Sequence, residues 1–233
     1  MKNQWFGDVY DFRKYGLLEF LSGYYDYIVV SWMLTPDDSF YGIDIPVDQP
    51  ILSHIKTLIL QHRQTQFAAE YFKGDQFNNK FIFWEENLPP GSTFDKSRNE
   101  WNNKLKDIEQ KYKEKTLYFF DADNGFSPTV CTNDEEKESI YIYQDEFKTK
   151  YENGADILLY QHRQRSQSFE AMYNTVAKNL SDIPWSEPKP EIICIKATGN
   201  VAFFLLYHAS NKITFPPALF GEKEEKEYMS IYK

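Results

Sequence analysis

Cysteine is nearly absent from this chain. Cys131 and Cys194 stand far apart in 233 residues, too few and too widely spaced for a disulfide framework or a zinc site. Long apolar runs are missing too: no eighteen consecutive apolar residues occur, so the sequence offers no transmembrane helix and no membrane partner is expected. The opening Met1-Lys-Asn-Gln-Trp-Phe-Gly-Asp8 lacks the apolar centre of a signal peptide, and a cytoplasmic location is the expectation. Basic charge is in deficit, with a formal net charge of -9. Broad nucleic-acid binding is not expected, because neutralising phosphates takes a surplus of Lys and Arg on at least one face. A glycine-rich loop is absent after the first strong strand, Tyr27 to Leu34. Thr35-Pro-Asp-Asp-Ser-Phe-Tyr-Gly42 follows instead, so a phosphate cradle of backbone amides at a helix start is poorly supported there.

What is present describes an ordered globular protein. Aromatics make up 18% and charged residues 26%, and the length suits one α/β domain over residues 1–220. The charged stretch 221–233 reads as a flexible tail.

The most informative stretch is Thr116-Leu-Tyr-Phe-Phe-Asp-Ala-Asp-Asn-Gly-Phe126. Leu117 to Phe120 form an uninterrupted apolar run, as expected of a strand covered on both faces, and Asn124-Gly125 signals a turn. In open α/β sheets ligands bind beyond the carboxyl ends of the strands, which is where Asp121, Asp123 and Asn124 fall. The plainer alternative is that these carboxylates only terminate the strand by bonding to turn amides.

Gly7 to Leu21 reads as a helix with Val9, Phe12, Gly16 and Phe20 on one face. Asp8 suits an N-cap, and Asp11 adds favourable charge in the first turn. Lys14 is spaced to pair with Asp11 on a solvated surface. Leu18 and Leu21, however, carry the apolar surface around to that flank, which points to burial and makes Asp11 and Lys14 candidates for a site. A helical stretch from Ile51 to Phe72, in which His62 reads as a core-edge histidine, precedes a strand at Lys80 to Trp84. A helix from Ser97 to Lys115 follows, with Trp101, Leu105, Ile108 and Tyr112 on one stripe. Ile140 to Tyr143 reads as a short extended piece. Asp156 to His162 reads as a buried strand ending in Gln161, His162 and Arg163, and a helix follows from Ser168 to Leu180. Parallel strand ends converge, so His162 and Arg163 are expected to face Asp121; the bland alternative for His162 is a structural histidine bonded to a loop carbonyl. Strands at Glu191 to Ala197 and Val201 to His208 close the sheet as an antiparallel hairpin.

Gly7-Asp8-Val9-Tyr10-Asp11-Phe12-Arg13-Lys14-Tyr15 resembles the Gly-Asn-x-x-Asp-x-x-Lys-His segment that opens the ribosomal-RNA adenine N6-methyltransferases of the kind acting on the large subunit. The later order of strand, acidic-tipped central strand and closing hairpin also resembles theirs. Asp121-Ala122-Asp123-Asn124 stands where that family carries Asp-Pro-Pro-Tyr. Over most of its length the chain also resembles a group of bacterial and phage proteins sharing Gly-Asp-x-x-Asp-x-x-Lys-Tyr, Trp-x-Leu-Thr-Pro-Asp-Asp, Phe-Asp-x-Asp-Asn-Gly and Tyr-Gln-His. That resemblance brings no activity with it.

The methyltransferase resemblance implies a Rossmann-like, mostly parallel sheet with helices on both faces, and S-adenosylmethionine as cofactor. Asp8, Asp11, Lys14, Thr35 and Asp37 would line the cofactor pocket. On that resemblance Asp121 would accept a hydrogen bond from the substrate amine and Phe126 would stack on the substrate; Asp123, Asn124 and His162 are further catalytic candidates, and Arg163 a candidate to bind a small-molecule or nucleotide substrate, from their places at the strand ends. Two other readings stay open. Asp37, Asp38, Asp121 and Asp123 would suit Mg²⁺ in a phosphohydrolase of nucleotides or nucleic acid, with His162 as acid or base. Alternatively the same scaffold binds a nucleotide or a protein without catalysis. On the catalytic readings Asp121→Asn abolishes activity and leaves the melting temperature nearly unchanged.

Overall fold

A computed structural model describes residues 9–33, 65–84, 96–112, 115–127, 140–164, 166–197, 200–216 and 229–232. Five helices fall in these segments: α1 (Val9–Leu21), α2 (Thr65–Phe72), α3 (Lys96–Lys111), α4 (Gln144–Glu152) and α5 (Phe169–Asp182). The strands are β1 (Tyr27–Ser31), β2 (Phe81–Trp84), β3 (Thr116–Phe120), β4 (Gly125–Phe126), β5 (Tyr141–Ile142), β6 (Asp156–His162), β7 (Glu191–Lys196), β8 (Val201–Tyr207) and β9 (Met229–Tyr232). Seven of them form one sheet in the order β2-β1-β3-β6-β8-β7-β9, and β4 pairs with β5 in a separate two-residue ladder.

β1, β2, β3 and β6 run parallel, joined at Val30↔Phe83, Val30↔Phe119 and Phe119↔Leu158. β8 runs antiparallel to both β6 and β7, so the closing hairpin places its second strand between its first and the parallel half. The expected α/β class and terminal hairpin are therefore present. Within the stretch read as a tail, of which 221–228 and 233 lie outside the described residues, residues 229–232 pair antiparallel with β7, in register Ile193↔Ile231. Without them β7 would be an edge strand with a row of open amides and carbonyls, which any short extended segment within reach can pair.

Strand alternation divides the core in two. Ile28, Val30, Leu117, Phe119 and Leu158 point to the face covered by α1 and α2, through Tyr15, Leu18, Leu21, Ala69 and Phe72. Val29, Tyr118, Phe120, Ile157 and Leu159 point to the face covered by α3, α4 and α5, through Trp101, Leu105, Phe147, Met172 and Leu180. A strand buried on both faces needs no polar alternation, which is why its sequence is almost continuously apolar.

α1 is rotated from the expected stripe. Phe20 is only half-buried, while Tyr15, Leu17, Leu18 and Leu21 are buried together with Asp11, Arg13 and Lys14. The flank marked by Leu18 and Leu21 is the one that meets the sheet.

Candidate functional site

β1 is the second strand of the sheet, with β2 on one side and β3 on the other, so the chain reverses its winding direction between β1 and β3. Such a reversal leaves a crevice beyond the carboxyl ends of the two strands. β3 ends there at Phe120, and the amide of Asp121 still donates to the Ser31 carbonyl of β1 at 2.9 Å. The Asp121 side chain is thereby fixed at the reversal point, facing α1.

Lys14 of α1 meets it. Lys14 Nζ donates to Asp121 Oδ2 at 2.6 Å and to Asp11 Oδ1 at 2.9 Å, and lies 4.5 Å from the centre of the Tyr160 ring. All three charged groups are buried, with Asp121 1% exposed. Burial pulls the Lys14 pKa down, but the two carboxylates outweigh it and hold the ammonium well above the usual lysine range. Burial raises the Asp121 pKa, with Lys14 opposing the rise. Charges removed from water persist only when paired in good geometry, which this arrangement supplies. Lys14 thus bridges two carboxylates in a place shielded from water.

His162, at the end of β6, is reached from this cluster through two rings. Its imidazole packs edge-on against Tyr160 at 5.9 Å and Tyr10 at 5.6 Å between centroids. Burial lowers its pKa, and nearby Lys14 pushes in the same direction, so the ring is neutral at neutral pH. Asp123 is half-buried and close enough to His162 to oppose that shift.

Beside His162 opens a cleft of about 720 Å³ between the β4 turn and α5. Its walls include Asn124, Gln161, His162, Arg163, Asn179 and Asn200, and none of the described residues that line it is acidic, although the chain as a whole carries a charge of -9. Such a lining accepts neutral hydrogen-bonding ligands or anions more readily than cations. Arg163 is committed to structure: its backbone amide donates to the Asn200 carbonyl at 2.7 Å, and its guanidinium reaches the Gln167 carbonyl and the Asn200 side chain. It ties the exit of β6 to the β7–β8 hairpin. Phe126 is 5% exposed and packs edge-on against Phe147 at 5.6 Å. The ring belongs to the core and to the cleft wall, and that burial leaves little surface for stacking on a base.

Gln161 is the residue that sequence reasoning missed. Its Oε1 accepts from the Phe126 amide at 2.9 Å, and its Nε2 donates to the Asn124 carbonyl at 3.0 Å, clamping the acidic turn onto β6. Gly125, at φ +84°, makes the clamp sterically possible, since a Cβ there would lie 2.5 Å from the Tyr160 carbonyl oxygen. A glutamine beside a candidate histidine carries no sequence signal of this role. Arg98 and Glu146 were missed as well. Their buried pair, Nε to Oε1 at 2.6 Å and Nη2 to Oε2 at 2.8 Å, joins α3 to α4, and Glu146 also accepts from the Tyr143 amide at 2.9 Å.

Of the residues predicted from sequence, Asp11, Lys14 and Asp121 form one cluster, with His162 next to it through Tyr10 and Tyr160. Asn124, Phe126, His162 and Arg163 border the adjoining cleft. Asp8, Thr35, Asp37 and Asp38 lie outside the described residues. Among the described residues no three His, Cys, Asp or Glu side chains converge as a metal site would require. Comparison of the chain with family models, curated proteins and solved structures gives no match.

Proposed function

We propose that the chain is a methyltransferase-like protein of Rossmann-like build that transfers a methyl group from S-adenosylmethionine to an amine of a nucleobase or other small substrate. The observation that carries this reading is the buried Asp11–Lys14–Asp121 cluster at the reversal point of the sheet. Its two carboxylates, gathered in a water-poor place, suit a cationic methyl donor, whose sulfonium would be drawn by the field of Asp11 and Asp121. When bound, the cofactor supplies the electrophilic methyl group. Asp121 orients the acceptor amine by accepting a hydrogen bond, and Lys14 keeps that carboxylate ionised and aimed. His162, neutral at physiological pH, takes the proton the amine sheds. The adjoining cleft, with its side-chain amides, offers complementary donors and acceptors to a heteroaromatic edge.

The Mg²⁺-phosphohydrolase reading draws less support. Mg²⁺ takes carboxylate oxygens as direct ligands, and Asp11 Oδ1 and Asp121 Oδ2 already accept from Lys14, whereas a sulfonium needs only their field. The test is calorimetric titration of the full chain with S-adenosylmethionine and, separately, with Mg²⁺ plus a nucleotide panel. The methyltransferase reading expects heat with the first ligand, weakened by Asp121→Asn, and methyl transfer to at least one member of a nucleoside and oligonucleotide panel. Turnover of nucleotides that depends on Mg²⁺ would replace it with the hydrolase. No response to either would leave a binding protein.

A further inference from the structure

A second cleft, of about 410 Å³, opens at the opposite end of the sheet, where β3 and β6 begin. Lys106, Glu109 and Gln110 of α3 form one side, Lys150 of α4 with Asn153, Gly154 and Ala155 the other, and Tyr112, Thr116 and Tyr118 lie between them. Its size lies within the range of small-molecule sites, about 300–1,000 Å³.

Two features of its floor are costly for a cavity with only a structural purpose. The Tyr118 hydroxyl is buried and has no hydrogen-bond partner, although the phenol itself is 1% exposed. Buried hydroxyls are nearly always satisfied, and leaving one unmet forfeits the hydrogen bond it would make to water. Beside it the Lys150 ammonium, 3% exposed, pairs with Glu109 Oε1 at 2.7 Å and sits 5.8 Å from the Tyr118 ring centre. An ammonium has three donors, and Glu109 is the one carboxylate in ion-pair range of Lys150 among the described residues. With Lys106 at the rim, the described lining carries two cations and one anion.

We propose that this cleft is a second ligand site, for a small organic monocarboxylate whose carboxylate bridges the Lys150 ammonium and the Tyr118 hydroxyl while its apolar body lies along Tyr112. One ammonium and one phenol supply two convergent donors, which matches a carboxylate. A phosphate dianion would bring more charge than these groups offset and would lie against Glu109. The site is independent of the proposed methyl transfer, because it sits at the other end of the sheet.

The experiment is a heteronuclear NMR titration of the full chain with sodium benzoate, inorganic phosphate and benzylammonium chloride. Wild type is compared with Tyr118→Phe. That variant removes only the unpartnered hydroxyl, so its melting temperature should equal or exceed that of wild type. Expected are benzoate-induced shifts confined to residues around 106–118 and 150–155, and a Kd for benzoate about tenfold weaker in Tyr118→Phe. Equal benzoate affinity in both proteins, or no shift at about 10 mM, would overturn the proposal. So would a stronger response to benzylammonium, which assigns the cleft to cations through Glu109, or an equal response to phosphate, which reduces it to a general anion site. If Tyr118→Phe does not fold, Lys106→Gln at the exposed rim replaces it, with a smaller but measurable weakening expected for benzoate and unchanged affinity overturning the proposal.

Discussion

Lys14 Nζ lies 2.6 Å from Asp121 Oδ2 across 107 positions of sequence, and this contact joins the N-terminal helix to the tip of the central strand. Lys14 bonds to both Asp11 and Asp121, so the two single variants differ in severity. Lys14→Met leaves two buried carboxylates facing each other and should cost about 3–5 kcal/mol of folding stability. Asp121→Asn leaves Lys14 still bonded to Asp11 and should cost less, about 1–3 kcal/mol. The second figure revises the expectation drawn from sequence, that Asp121→Asn would hardly move the melting temperature. Asp121 is 1% exposed and bonded to a buried ammonium, and neutralising it must be felt by the fold. Urea denaturation of wild type, both single variants and the double variant measures these costs. A coupling energy near zero in the double-mutant cycle would mean that the pair contributes nothing specific.

His162 makes stability depend on pH in a definite direction. Its folded pKa lies below the ordinary imidazole value because of burial, so the unfolded chain takes up the proton first as pH falls. The contribution is therefore fully present above about pH 6.5 and declines from there toward the lower folded value. His162→Gln should flatten this part of the profile, narrowing the stability difference between pH 7.5 and pH 5.5 relative to wild type. Denaturant midpoints at the two pH values give the comparison, and the imidazole NMR titration of the folded protein gives the lowered pKa directly. An unchanged pH slope in His162→Gln would assign the dependence to other groups.

The sequence made the sheet readable because burial on both faces removes ambiguity. The stretch from Asp156 to His162 was expected as a strand and is one, end to end. Asp121 falls just beyond the carboxyl end of β3, as the sequence implies, since Phe120 is the last apolar residue before the first carboxylate. α1 was harder. Periodicity chose the stripe of Val9, Phe12, Gly16 and Phe20, yet the sheet takes the flank bearing Asp11 and Lys14, because a buried ion pair makes polar residues behave as core. Neither Gln161 nor the Arg98–Glu146 pair was legible. Each works through partners 35 to 48 residues away, and no local pattern encodes such a distance. The pairing of 229–232 with β7 was hidden for a related reason: an edge strand is recruited by the open hydrogen bonds of its neighbour rather than by its own composition.

Cys194 lies in β7, buried, and burial alone pushes its thiol up to about 12. The thiolate is the reactive species, so at pH 8 only about one thiol in ten thousand is ionised by that value. In a Cys131→Ser background, which leaves Cys194 as the single thiol, reaction with a disulfide reagent should be negligible in buffer and rapid in denaturant. The rate should also follow global unfolding, rising in proportion to the unfolded fraction across a denaturant series. Fast labelling in buffer would show that β7 opens locally.

Gly125 and Gly154 provide a matched pair for separating steric contact from backbone strain. Both have positive φ, +84° and +100°, so an alanine at either position incurs the conformational cost of a left-handed residue, about 1 kcal/mol. At Gly154 nothing lies within 4 Å of the methyl group an alanine would add, and the strain is the whole cost. At Gly125 the same methyl would lie 2.5 Å from the Tyr160 carbonyl oxygen and 2.8 Å from the Gln161 Cα, both backbone atoms of β6 that cannot swing aside. Gly125→Ala must therefore push the acidic turn off β6 and break the two bonds from Gln161 to Phe126 and Asn124, for a total of about 3–5 kcal/mol. Because that turn also carries Asn124 into the cleft wall, Gly125→Ala should weaken any ligand of the cleft, while Gly154→Ala leaves it unaffected. Thermal denaturation of the two variants side by side, with the ligand titration repeated on each, decides the matter. Equal destabilisation would show that the approach of the turn to β6 is looser than 2.5 Å implies.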